Sequence, residues 1–552
     1  MVYCLIPAGN GRSMPAMIPL VPVSDKEKSV IATLLLALLA LPAALSAAPR
    51  TENLKLVPKW GRFERSFTSS RIYADPPEQA AFTVQFTSPL GETNPVYGFW
   101  DGGRIWRVRF SPDQPGRWSF TTLCSDTSNQ GLQNHAGAFL CTAPDADQSR
   151  FNRHGPVRLA RDHRHFEHTD GTPFFWLADS AWEGARRSNP GDWETYARIR
   201  AAQKFSAVQW AVDTGGEGIN PEFFKSLDAK VDALNRAGLL SVIAPFSGMD
   251  GTGGSSLPEN RLAVLLRYMV ARWGANDVAW LLTVDGSDPG NAAIWEQAGR
   301  AVFEPVPHAP VILRPGAGAF DRFRNEHWVD AWGYFINTRN ENPLRELLSG
   351  PLATEWIREP ARPSINVQSA PENRLIDGRR VTADEVRRGV WCSLLLAPPA
   401  GVGYCAEGVF NWNTTMEPKT NGVSGGGPPS WRNALDLPGA RQMTTIADVF
   451  TSIDFWHLFP ASLLAIPEPG IQSPRPSSIA VATDAKDLEL VYVPVDRTAE
   501  LSLTSLPGWP TVTWINPRTG EKSAAVAVVQ DSATEFPTPE PGDWLLTIKA
   551  GK

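Results

Sequence analysis

Carboxylates, amides and indoles recur just past short apolar runs of this chain, and together they suit the cleavage of glycosidic bonds. FFWLAD ends in Asp179 with Trp182 beyond it, AVQWAV carries Gln209 and Trp210 before Asp213, and VAWLLTV leads to Asp285 and Asp288. SINV runs into Gln368 and Glu372, and GVGYC into Glu407, Asn411 and Trp412. Glycoside cleavage needs an acid to protonate the leaving oxygen, a carboxylate facing the oxocarbenium-like carbon, and flat aromatic faces for the sugar's C–H surface. Rival chemistries lack their residues. Metal-dependent hydrolysis usually wants several His, yet only His308 and His327 fall near the fifth and sixth runs and no HExxH is present. No GxSxG elbow stands at the end of an apolar run, as a serine hydrolase would place it. Carboxylate catalysis of this kind uses no cofactor and no metal, and none is expected.

Those side chains can act together only if the runs that carry them are neighbouring strands. From Gly155 onward, short apolar runs alternate with segments of helical period, the βα signature of a parallel sheet. Eight runs, at 174–179, 207–212, 239–245, 278–284, 311–315, 331–336, 364–367 and 401–405, predict a (β/α)8 barrel over 152–465. An open doubly wound sheet is the alternative, disfavoured because no Gly-rich phosphate turn follows the first run. Two helices carry clear start signals: Pro190 just inside NPGDWETYARIRAAQK, and the Thr382 to Glu385 capping box of TADEVRRGVWCSLLL. A barrel gathers the C-terminal ends of its strands at one mouth, so all the residues named above would line one rim.

On either side the pattern is all-β. Residues 52–147 alternate apolar and polar positions in short runs broken by turns, with DGG at Asp101 to Gly103 as a hairpin, and 466–552 resume the same rhythm after the linker PEPGIQSPRP. Two β-sandwiches flanking the barrel are therefore expected. Trp60, Trp100, Trp106 and Trp118 read as core of the first in preference to a sugar platform.

The chain has 552 residues, with 52 Lys and Arg against 58 Asp and Glu, so the net charge of −6 offers no basic face to nucleic acid. Lys26 and Lys28, the apolar run Val30 to Leu41 and the small residues ending at Ala48 follow the order of a secretory signal, too short to span a bilayer comfortably. Residues 1–48 are thus expected to be removed, leaving a secreted or periplasmic protein with no membrane segment. Cys124, Cys141, Cys392 and Cys405 remain, open to two disulfides in an export compartment or to four buried thiols. Nothing in the sequence fixes the oligomeric state.

Longer stretches carry a resemblance. WGRFERSF, YGFWDGGRIWRVRFSPDQPGRWSF and GAFLC resemble the sandwich domain found before bacterial polysaccharide-degrading barrels. GPVRLARDHRHFEHTDGTPFFWLADSAWE with AVQWAV, and later TADEVRRGVWCSLLLAPPAGVGYCAEGVFNWN, resemble the first and last βα units of the apiosidase-like barrels, glycoside hydrolase family 140 and its relatives. VTWINPRTG and GDWLLTI resemble a C-terminal domain labelled collagen-binding, although nothing physical in 466–552 argues for collagen.

The resemblance implies a glycosidase acting on polysaccharide or oligosaccharide side chains. Relatives carry Gly-Gly-Asp at the end of strand four, where this chain has Thr283, Val284 and Asp285, so Asp285 matches the general acid/base. On strand seven the pattern Asn-Gly-Glu, followed by a second Glu, becomes Asn366, Val367, Gln368 and then Glu372. A neutral amide cannot attack an anomeric carbon. Either Glu372 or Glu407 replaces it, with Glu372 the expected catalytic partner of Asp285; or the site binds glycans without cleaving them; or the strand's register differs by a few residues. Asp179, Trp182, Gln209, Gln368, Glu407 and Trp412 are the expected substrate contacts, each with a plain packing role as its alternative.

Overall fold

The computed structural model describes residues 54–551, apart from 146–148, 215–217, 247–258, 285–288, 317, 336–349, 377, 399, 416–427, 462–478, 495–497, 502–509 and 531–532. The leader, Asp285 and Asp288 therefore lie outside the described residues.

Eight parallel strands close into a barrel in chain order. They are β1 (Trp176–Ser180), β2 (Ala207–Ala211), β3 (Leu240–Ala244), β4 (Val278–Val284), β5 (Val311–Pro315), β6 (Ala331–Phe335), β7 (Ser364–Gln368) and β8 (Gly401–Tyr404). Each begins and ends within about two residues of the run expected from the sequence, because a strand buried on both faces reads as an unbroken apolar run. Alternation then sorts the side chains. Ala178, Ala207, Ala211, Val242, Leu281, Ile312, Ile365 and Val367 fill the interior, whereas Leu177, Val208, Trp210, Ile243, Trp280, Leu313 and Tyr404 pack outward against the helices. At β8 the inner face needs a glycine: a Cβ on Gly403 would lie 2.1 Å from the Val367 carbonyl oxygen of β7.

Three helices matter for the site. In α1 (Pro190–Ala202) the Asn189 side chain accepts from the Asp192 N–H. In α2 (Ala383–Leu396) the expected capping box forms, Thr382 Oγ1 accepting from the Glu385 N–H while the Glu385 carboxylate accepts from the Thr382 N–H. α3 (Pro438–Thr451) starts at Leu437, which offers no side-chain cap, so its first N–H groups need an acceptor from elsewhere.

The flanking domains are sandwiches. In the first, a five-stranded sheet faces the three-stranded sheet of Phe63–Thr68, Ile105–Phe110 and Phe99–Trp100 over Phe63, Phe86, Phe120, Phe139 and Trp118. Gly102 and Gly103 take φ of 102° and 55° in the hairpin between Trp100 and Ile105, a region open to glycine. Trp106 and Trp118 are core, as expected, while Trp60 and Trp100 are only half-buried. Buried charge ties this domain to the barrel: Arg109 pairs with Glu64 at 2.7 Å and Asp228 at 2.8 Å, and Arg272 with Asp228 and Asp101. The C-terminal six-stranded sheet already begins at Leu458–Pro460 and docks on α2, where Arg387 bonds both Asp543 oxygens and the Trp391 ring stacks on Tyr492.

Cys124, Cys141, Cys392 and Cys405 are free and buried, which decides for thiols. No described helix is long and apolar enough to cross a membrane.

Candidate active site

Inside the upper barrel, Gln209 on β2 is fully buried; its Nε2 donates to Ser180 Oγ at 2.9 Å and to the Val367 carbonyl at 2.6 Å. Its Oε1 has no hydrogen-bond partner among the described residues, a costly omission for a buried amide and a ready acceptor for a hydroxyl. Above it, the Trp182 indole N–H donates to Gln368 Oε1 at 2.8 Å, while the Trp182 ring packs on the interior cluster, with Phe410 beside it. Gln368 closes β7, one residue beyond the run expected from the sequence, and its own N–H donates to Asn366 Oδ1. Gln209, Trp182 and Gln368 are thus brought together across β1, β2 and β7.

Glu407, just past β8, is half-buried. Asn411 Nδ2 donates to its Oε1 at 3.3 Å and the Arg374 guanidinium lies 4.0 Å from Oε2, itself over the Phe410 ring. Its side chain keeps 12% of its surface exposed.

Glu372 sits apart from this group of side chains. Its backbone runs beside that of β8, bridging Ala406, but its carboxylate turns outward to the start of α3. Tyr404, an outward-facing residue, donates its hydroxyl at 2.5 Å and Gly439 its N–H at 3.0 Å. The carboxylate is therefore the missing cap of α3, so close that a Cβ on Gly439 would come within 2.4 Å of Oε2. Burial raises its pKa, and the bonds from Tyr404 and Gly439 only partly oppose that.

Two more expected substrate contacts also face away. Asp179 alternates with the inward Ala178, so its carboxylate meets α1, where Tyr196 Oη donates at 2.7 Å and Arg200 Nε at 2.6 Å, all three side chains fully buried. Burial acts to lower the Arg200 pKa, and the Asp179 charge more than offsets it. Trp412 takes a left-handed φ of 52°, which folds its ring back onto Trp431 at 4.5 Å and against Trp193 and Tyr196, leaving 1% exposed. Both residues hold the wall that carries the site.

One group was not singled out from the sequence. Arg314, on the inner alternation of β5, donates to Thr283 Oγ1 of β4 at 3.4 Å. A charged residue interrupting the apolar run VILRP was the available signal. Among the described residues, no three His, Cys, Asp or Glu gather closely enough to hold a metal ion.

Comparison with known proteins fits this geometry. A family described as "Apiosidase-like, catalytic domain" matches residues 160–457. A "Domain of unknown function (DUF5060)" matches 56–125, and a "Putative collagen-binding domain of a collagenase" matches 471–549. Among solved structures, a "putative glycoside hydrolase" from Bacteroides vulgatus superposes with a TM-score of 0.64 at 17% identity, covering 90% of this chain and 99% of that one. A glycoside hydrolase family 5 protein from the same organism gives 0.62 at 16%, covering 72% and 94%. At such identities the likeness is one of fold. Comparison with curated proteins gave no match.

Proposed function

The chain belongs to the apiosidase-like family, and on that premise we propose that it hydrolyses O-glycosidic bonds in polysaccharide side chains, with Asp285 as proton donor and Glu407 as its ionised partner. One observation carries the choice of partner. Of the carboxylates beyond β7 and β8, Glu372 has its oxygens committed to Tyr404 and Gly439, while Glu407 retains exposure beside Arg374. Support for Asp285 comes from the resemblance to the family's Gly-Gly-Asp at the end of strand four.

In this reading Gln209, Trp182 and Gln368 bind the sugar. The free Gln209 Oε1 accepts a hydroxyl, and the Gln368 amide, oriented by the Trp182 indole N–H, offers its Nε2 as a donor. Asp179 and Trp412 act only through packing. Secretion through the leader at 1–48 fits a polysaccharide substrate.

A second reading has an observation of its own. Gln368, which the resemblance matches to the family's nucleophile, is a neutral amide hydrogen-bonded to Trp182, which suits a site that holds glycans without cutting them. Sugar release from a panel of plant and bacterial polysaccharides separates the two. The proposal expects turnover by the wild type and a loss of at least 10²-fold in Glu407→Gln. Silence of the wild type with turnover gained by Gln368→Glu would establish the second reading instead.

A further inference from the structure

A cavity of about 300 Å³ opens at the other end of the barrel, where the N-terminal sandwich meets the segments leading into β4 and β5. Trp60, Asn94 and Tyr97 of the sandwich line one side, and Asp277 and His308, which precede those strands, line the other. Sugar-cleaving barrels work at the opposite, C-terminal end of their strands, so this space is separate from the mouth and the inference does not rest on the proposed activity.

The unmet hydrogen-bonding capacity of the cavity defines its ligand. The Trp60 indole N–H is buried with no acceptor among the described residues. Asp277 has its backbone engaged by Asn235 and Ser241, but its carboxyl takes no hydrogen bond from any described residue. Burial pushes that carboxyl up to about 7, with the Arg150 charge pulling it back, so near neutrality it both donates and accepts. The cations at the rim are already matched: Arg109 by Glu64 and Asp228, and Arg158 by Glu167 at 2.7 Å. Lys59 lies over the Trp60 ring, 4.2 Å from its centroid, and the Arg150 charge is directed at Asp277. A cation would find a half-protonated Asp277 backed by Arg150, with Asp113 and His308 as the other titratable neighbours. Aromatic and aliphatic walls, Phe110 and Val157 among them, suit the C–H faces of a ring.

We propose that this cavity is a second carbohydrate site, which holds one neutral sugar unit between the sandwich and the barrel through Trp60 and Asp277. It would keep the enzyme on its polysaccharide while the mouth works, gaining avidity from two weak contacts on one chain.

Saturation-transfer NMR on the full chain tests this with galactose, arabinose and rhamnose as probes, and with inorganic phosphate and methylammonium as charged controls. Lone monosaccharides should bind with Kd of about 1–10 mM. Asp277→Leu, which removes a buried acid, and Asn94→Trp, which adds bulk to the cavity wall, should each weaken the binding of at least one sugar about tenfold or more, with unchanged circular dichroism. Both should leave release from short soluble glycosides, which cannot span the two sites, at the wild-type rate. Binding of every sugar equal to wild type in both variants, no sugar binding at all, or tighter binding of phosphate or methylammonium would overturn the proposal. A wild type without hydrolytic activity would leave it standing.

Discussion

Glu372→Ala should weaken the barrel, and Glu372→Gln should spare the chemistry. In the alanine variant the Tyr404 hydroxyl, fully buried, and the Gly439 N–H at the start of α3 both lose their acceptor. Each stranded group costs about 1–3 kcal/mol, and the helix terminus loses its neighbouring carboxylate as well, giving about 3–5 kcal/mol in total. Spread over the matched span of residues 160–457, with an unfolding entropy of about 2.1 cal/mol/K per residue, that lowers the melting midpoint by about 5–8 °C. Glutamine keeps the shape, its Oε1 taking the Gly439 N–H and its Nε2 donating to the tyrosine oxygen, so its cost falls to about 1–2 kcal/mol. Calorimetry and sugar release on the same samples decide the matter. A capping role predicts a graded loss of stability and, for the folded glutamine variant, kcat within about threefold of wild type. A glutamine variant that melts like wild type but turns over 10² to 10⁴ times more slowly, as loss of a general acid or base would give, would show that Glu372 does chemistry and that its outward placement is wrong.

Three other outcomes follow from buried groups. Arg387→Met leaves Asp543 charged and unpaired between α2 and the C-terminal sheet, both side chains being almost fully buried. It should cost about 3–5 kcal/mol and let limited proteolysis release that sheet, while Arg387→Met with Asp543→Leu recovers most of the loss; a single variant as protease-resistant as wild type would refute it. His168 has its pKa lowered from 6.5 to about 4, burial being the main cause. Its folded-state pKa is depressed, so the stability it supports is present above pH 6.5 and fades as pH falls towards 4, by about 3 kcal/mol in all. Denaturant titrations across that range should show the slope in wild type and a shallower one in His168→Gln, and equal slopes would count against it. Finally, Cys124, Cys141, Cys392 and Cys405 should react with a thiol reagent only after unfolding, and a reductant should leave the melting temperature unchanged; a fall on reduction would mean a disulfide forms.

The barrel was legible because its strands are buried on both faces, and runs such as VAWLLTV and VILRP announce that directly. Both expected helix starts also form, since capping by Asn189 and Thr382 is local chemistry. Facing was harder. Asp179 ends a strand as a catalytic carboxylate would, yet one step of alternation separates it from the inward Ala178 and turns it to Arg200. Trp412 follows a strand end, but a left-handed backbone swings it into the helical layer. The contact of Glu372 with Gly439 of α3 was not legible, because the two are distant in sequence and leave no local trace. What the sequence did place at the mouth, Gln209, Trp182 and Gln368, stands on side chains that fill or cap the interior.

The most direct test is the steady-state rate of sugar release by Asp285→Asn beside wild type, on whichever polysaccharide the wild type cleaves. With Asp285 as the proton donor, kcat/KM falls by about 10² to 10⁴ while the melting curve is unchanged. An Asp285→Asn protein that keeps the wild-type rate would contradict the account.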